Sequence, residues 1–164
     1  MAPDRSTATP CMSGSRFTLD SNILVYALDR LAGDRHLLAA RIIARAQFAD
    51  CLLILQSVSE FYAAATRKRL VSPRIAREQA TDWLTMFTTA AASAGSVRAA
   101  LASAASGYAS YWDALLLHTA AEAGCTTILT EDMADGSTVA GIRIVNPFAD
   151  GALSSAAETL LSTE

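Results

Sequence analysis

Four acidic residues of this chain stand where acids are awkward. Asp20 closes an apolar run in Phe17-Thr18-Leu19-Asp20-Ser21-Asn22, and Asp113 is followed by the apolar Ala114-Leu115-Leu116-Leu117. Asp132 comes three residues after another apolar run, in Leu129-Thr130-Glu131-Asp132, and Glu60 lies one turn into a helical segment. Carboxylates brought together repel unless a cation neutralises them. Oxygen donors without His or Cys partners select Mg2+ or Mn2+. Such ions activate a water and stabilise charge on a phosphodiester under in-line attack. Each acid also has a plainer role open to it. Ser57-x-x-Glu60 has the pattern of a capping box and Ser110-x-x-Asp113 nearly so, while Asp20 suits an N-cap. Asp132 and Asp135 suit a turn before Gly136.

The elements that must position these acids are legible as short runs. Arg16–Leu19, Leu52–Leu55, Thr126–Leu129 and Ile142–Val145 read as strands, the last three with the continuous apolar character of strands buried on both faces. Helical spacing fills the intervals. One apolar face is made by Ile23, Leu24, Ala27 and Leu28, and a longer helix runs through Leu37–Ala46. Another runs from Ser57 to the basic Arg67-Lys68-Arg69, whose charges suit its C-terminal end. Ser72-Pro73 starts a helix through Trp83 and Phe87; an alanine-rich helix covers Val97–Ala105, and the last runs from Tyr111 to Gly124. This order predicts a single α/β domain with a mainly parallel central sheet flanked by helices. Open parallel sheets bind ligands at the carboxyl ends of their strands. All four acids map to that edge, which capping does not explain.

Composition bounds the rest. The chain has 164 residues, 52% of them hydrophobic and 18% charged, which suits one globular domain with its own core. Residues 1–15 read as a flexible tail without a secretion-signal core, 16–149 as the domain, and 150–164 as a small, polar tail with a weak helical signal. No apolar stretch is long enough to cross a membrane. Cys11, Cys51 and Cys125 lack the spacing of a disulfide or zinc framework, and free thiols point to the cytoplasm. A net charge of −3 argues against nonspecific nucleic-acid binding by counterion release. It leaves room for an acidic site that attracts metals first and phosphates second.

Four segments together resemble the motifs of PIN-domain ribonucleases: Leu19-Asp20-Ser21-Asn22-Ile23-Leu24-Val25-Tyr26-Ala27, Ser57-Val58-Ser59-Glu60-Phe61-Tyr62, Tyr111-Trp112-Asp113-Ala114-Leu115 and Ile128-Leu129-Thr130-Glu131-Asp132-Met133. The ending Gly141-Ile142-Arg143-Ile144-Val145-Asn146-Pro147-Phe148 resembles that of bacterial VapC-type toxins. The resemblance implies a single PIN-like domain and a Mg2+- or Mn2+-dependent endoribonuclease, the toxin of a type II toxin–antitoxin pair. It further implies an RNA substrate, a cognate antitoxin and a homodimer. Asp20 and Asp113 would be the firmest metal ligands. Glu60 would complete the cluster, and Asp132, with Asp135 as its rival, would contribute directly or through water. Asn22 and Thr130 fit as polar groups that orient the carboxylates.

Other residues carry less. His118 falls about 140° around its helix from Asp113 and points elsewhere, and His36 reads as solvated. Arg67 shares a face with Glu60 and is a candidate contact to a substrate phosphate, against the plainer role of a solvated C-terminal cation. Tyr108, Tyr111 and Trp112 are expected to pack and not to stack on bases. Two further functions compete. One is a non-catalytic binding or scaffold domain whose acids are helix caps. The other is a phosphatase with Asp20 as nucleophile, disfavoured because no second aspartate stands two residues on.

Overall fold

The sheet forms from runs short enough to be strands and apolar enough to be covered on both sides. The computed structural model describes residues 15–162; Cys11 and nearly all of the expected N-terminal tail lie outside them. Strand β1 (Phe17–Leu19) is flanked by β4 (Thr127–Leu129), which is followed by β6 (Ile142–Val145), all parallel, with the two-residue β5 (Thr138–Val139) antiparallel at the edge. On the other side of β1, a parallel bridge from Phe17 to Cys51 brings in β2 (Leu52–Ile54), which pairs in parallel with β3 (Thr88–Ala90). The fold is thus α/β with a mainly parallel central sheet, as the sequence predicts.

Side chains alternate across strands, and the two faces carry separate cores. Phe17, Leu19, Leu53, Leu129 and Val145 face a cluster built on helices α1 (Ser21–Tyr26), α2 (Asp34–Ala46), α3 (Leu55–Arg67) and α4 (Pro73–Met86), with Ile23, Ile42, Phe61 and Trp83 inside it. Leu52, Ile54, Ile128, Ile142 and Ile144 face the other way, onto Leu116, Leu117 and Ala120 of α6 (Tyr111–Glu122). Helix α5 (Ala94–Ala105) covers the outer side of α6 through Ala100, Ala114 and Leu115. A 3-10 turn, Arg30–Ala32, joins α1 to α2.

Three elements depart from the sequence expectation. Strand β3 was not anticipated: Thr88-Thr89-Ala90 is short, largely exposed and paired on one side only, so it lacks the apolar signature of its neighbours. Helix α3 begins at Leu55 and not at Ser57, because β2 runs straight into it without a loop. The segment after residue 149 is built into the fold. Phe148–Ala149 (β7) and Ala152–Leu153 (β8) form a hairpin whose loop residues, Asp150 and Gly151, both have positive φ, as a two-residue turn of this hand requires. Helix α7 (Ser155–Leu160) follows, with Leu153, Ala157 and Leu161 buried in the first core.

Candidate metal and catalytic site

Asp20 occupies the junction of β1 and α1. Its backbone N–H donates to the Leu129 carbonyl at 3.0 Å, continuing the β1–β4 ladder, and its side chain caps α1 by accepting from the Ser21 N–H at 2.6 Å. Its other oxygen, Oδ2, accepts from the Thr130 hydroxyl at 2.7 Å and from Asn22 Nδ2 at 3.3 Å. Asp20 as a whole is 6% exposed. Burial pushes its pKa up to about 6; the donors from Thr130 and Ser21 work against this, and the negative charges of Asp132 and Glu60 add to it. Three of the predicted acids, distant in sequence, therefore share one field.

Thr130, fully buried at the end of β4, is the hub. Its hydroxyl gives its proton to Asp20 and accepts from Asn22 Nδ2 at 3.0 Å and from the Asp132 N–H at 3.1 Å. Asn22 and Thr130 thus both hydrogen-bond the Asp20 carboxylate and each other. Asn22 Oδ1 is buried without a partner. Glu131, next to Asp132, accepts from the Tyr26 hydroxyl and from Arg35 Nε (2.7 Å), and the Arg35 guanidinium lies over the rings of Tyr26 and Phe148. That network fastens the loop carrying Asp132 to α1 and α2.

Glu60 lies in the interior of α3 and takes no part in a capping box, since Ser57 is buried with its hydroxyl unpartnered. Instead, Glu60 Oε2 accepts from the Ser21 hydroxyl at 3.1 Å and Oε1 from Gln56 Nε2 at 2.8 Å. Gln56 Nε2 also donates to the Trp112 carbonyl at 2.9 Å, one residue before Asp113. Asp113 sits in the first turn of α6, where its N–H donates to Ser110 Oγ and its Oδ2 accepts from the same hydroxyl at 2.7 Å. The link to Glu60 thus runs from the preceding residue, Trp112, through Gln56, while the hydrogen bonds of the Asp113 carboxylate go to Ser110.

Asp135 is engaged elsewhere, its Oδ1 accepting from the Asn146 N–H at 2.8 Å. Arg67 is exposed in the last turn of α3, about 10 Å along the helix from Glu60. His118 pairs with the Ser103 hydroxyl at 2.9 Å between α5 and α6, and His36 Nδ1 lies 3.0 Å from the Tyr26 carbonyl. Tyr111 packs against the α5–α6 cluster, as expected, but Trp112 is 60% exposed and Tyr108 65%. Ser21 and Gln56 were missed. The only available signal was Gln56 standing four residues before Glu60 on one helix face.

The donor set is all oxygen, which fits a hard divalent cation and not zinc. Among the described residues no three His, Cys, Asp or Glu side chains stand close enough together to enclose an ion by themselves. Mg2+ tolerates such a site, because it keeps several of its waters and takes one or two carboxylates.

A family model described as PIN domain matches residues 17–134. Among solved structures, the chain is similar to a toxin–antitoxin complex from Klebsiella pneumoniae (TM-score 0.56, 20% identity, covering 80% of this chain and 97% of that one). It is also similar to VapC20 of Mycobacterium tuberculosis, described as a Sarcin-Ricin loop cleaving toxin (0.58, 19%, 71% and 91%). A third is VapBC2 from Rickettsia felis bound to a DNA fragment from its promoter (0.56, 13%, 78% and 96%). At these identities the likeness is one of fold. No curated protein matches by sequence.

Proposed function

Because the chain belongs to the PIN domain family, we propose that it is a Mg2+- or Mn2+-dependent endoribonuclease and the toxin of a type II toxin–antitoxin pair. The observation that carries this reading is the buried Asp20 carboxylate at the carboxyl end of a parallel strand, its pKa raised chiefly by burial, with smaller contributions from the charges of Asp132 and Glu60. Acids that repel one another at a strand end are stabilised by a bound cation. Asp20 would hold the ion directly, with Glu60, Asp113 and Asp132 completing its shell directly or through water. When bound, such an ion lowers the pKa of a water and stabilises the charge of the attacked phosphodiester.

The chain's own residues prepare that chemistry. Thr130 and Asn22 hold Asp20 Oδ2 from one side, and the Ser21 N–H fixes Oδ1. Ser21 and Gln56 fix both oxygens of Glu60. Asp132 is the better fourth member, since its charge reaches Asp20 while Asp135 serves the Asn146 backbone. RNA cleavage in Mg2+ or Mn2+ is expected to be lost on adding EDTA and in Asp20→Asn and Asp113→Asn. Cleavage that persists through all three would sink the mechanism.

A cognate antitoxin, a homodimer and a cytoplasmic location belong to the same proposal; one of the similar structures is described as a toxin–antitoxin complex. Co-expression with the product of a small reading frame directly upstream is expected to suppress the cleavage. The scaffold reading has one observation in its favour: Asp20 caps α1, and Asp113 shares the cap of α6 with Ser110. Calorimetric titration separates the two, since a scaffold would take up no Mn2+ at millimolar concentration.

A further inference from the structure

Trp112 is the less ordinary of the two tryptophans. Trp83 is buried against Phe61, 2% exposed with ring centroids 4.7 Å apart, as a residue of this size usually is in a domain core. Trp112 is 60% exposed in the first turn of α6, immediately before Asp113. Its ring meets Tyr111 at an interplanar angle of 67° and 5.1 Å between centroids, so one neighbour braces it while most of the indole stays in water. Its carbonyl accepts from Gln56 Nε2, the same nitrogen that donates to Glu60. The backbone bearing this ring is therefore tied to two of the four acids, one by sequence and one by a hydrogen bond.

Beyond its contact with Tyr111 the indole loses little packing when truncated, so its place invites a role in binding. A flat, exposed ring on the residue next to Asp113 suits a nucleobase, because base–aromatic stacking tolerates any base and needs no hydrogen-bond code. We propose that Trp112 is a stacking platform for a base next to the phosphodiester cut at the Asp20 edge, and so fixes the position of the flanking nucleotide whichever base it carries. The inference rests on the nuclease reading and extends it to a substrate contact. Tyr108 is equally exposed, but no hydrogen bond of its side chain ties it to the acids.

The test uses short single-stranded oligoribonucleotides in Ca2+, with the RNA checked to be intact, and compares the wild type with Trp112→Ala, Trp112→Phe and Trp112→Tyr. Truncation to Ala leaves the carbonyl that holds Gln56 in place. RNA is expected to quench the emission of Trp112, with buried Trp83 as the internal reference. Trp112→Ala is expected to bind roughly 5- to 100-fold more weakly, with Phe and Tyr restoring most of the affinity. An oligonucleotide lacking the stacked base should bind the wild type and Trp112→Ala alike. Equal affinity of the two proteins for intact RNA overturns the proposal and leaves the nuclease reading standing. So does a loss that persists unchanged on the abasic RNA. A change of sedimentation in Trp112→Ala would place the ring in a subunit interface and also overturn it. A wild-type chain that binds no RNA removes the nuclease reading itself, and the stacking role with it.

Discussion

Thr130 shows how much of the site hangs on one hydroxyl. It is the donor to Asp20 Oδ2 in a buried bond and the acceptor for both Asn22 and the Asp132 backbone in partly buried ones. Thr130→Val keeps the shape and removes all three bonds. A buried carboxylate that loses a donor costs about 1–3 kcal/mol, and loss of a group that orients a metal ligand lowers affinity by about 10- to 100-fold. Urea melts and Mn2+ calorimetry on Thr130→Val are expected to show both effects; an unchanged Mn2+ affinity would mean that Thr130 serves the fold alone. The four acids were legible as candidates because Asp20 ends an apolar run, Asp113 precedes one, Asp132 follows one at three residues and Glu60 stands one turn into a helical segment. Ser21 and Gln56 could not, because their partners come from other elements, and a serine or glutamine on a helix surface is unremarkable until those elements meet. The two described cysteines are a separate case. Burial raises both thiols, Cys125 to about 11. In a Cys11→Ser background, Ellman's reagent at pH 8 should find no reactive thiol until denaturant is added; a fast native reaction would contradict their burial.

At the scale of elements, the C-terminal hairpin and α7 test how the core is closed. Asp150-Gly151 is a hairpin signal in the sequence, yet the strands beside it are two residues each and the helix beyond is rich in Ser and Ala, too weak a pattern to distinguish from a tail. Its order comes from tertiary contacts: Leu153, Ala157 and Leu161 in the core, and Glu158 between Arg45 (2.5 Å) and Arg41 (3.4 Å) of α2. The Arg45 hydrogen bond and charge hold the Glu158 carboxyl below its ordinary pKa. A group depressed in the folded state stabilises above its unfolded pKa and loses that contribution as pH falls through its folded pKa. Thermal unfolding of Glu158→Gln should therefore begin below wild type at neutral pH, and the gap should close in acid, beneath the usual glutamate range. A gap that stays constant with pH would assign the effect to packing. Strand β3 was hidden for a related reason, since an edge strand with exposed threonines needs only its pairing with β2 to exist.

Across the whole molecule, the order β1-β4-β6 and the continuation through β2 were legible as a class but not as an arrangement. Buried parallel strands look alike in sequence, and which one lies beside which is decided by how helices fill the two faces. The same distinction applies to charge. A net −3 says little about a polyanionic substrate, because what matters is where the uncommitted cations lie. Arg16, Arg35, Arg41, Arg45 and Arg74 are taken up in ion pairs. Arg67, Lys68 and Arg69 have none among the described residues and sit together at the end of α3, where Lys68 and Arg69 join Arg30 along an open cleft of about 670 Å3. Helix α3 thus has an acid of the proposed site within it and a basic cluster at its far end. If RNA lies along that helix, each cation that meets a phosphate releases a counterion, and for single strands the logarithmic salt slope of binding falls by about 0.7 per contact removed. Arg67→Ala is expected to weaken RNA binding, reduce that slope by about one contact and raise KM while leaving kcat near wild type. A slope unchanged in Arg67→Ala, but reduced in Lys68→Ala or Arg69→Ala, would move the RNA path off Arg67 and into the cleft.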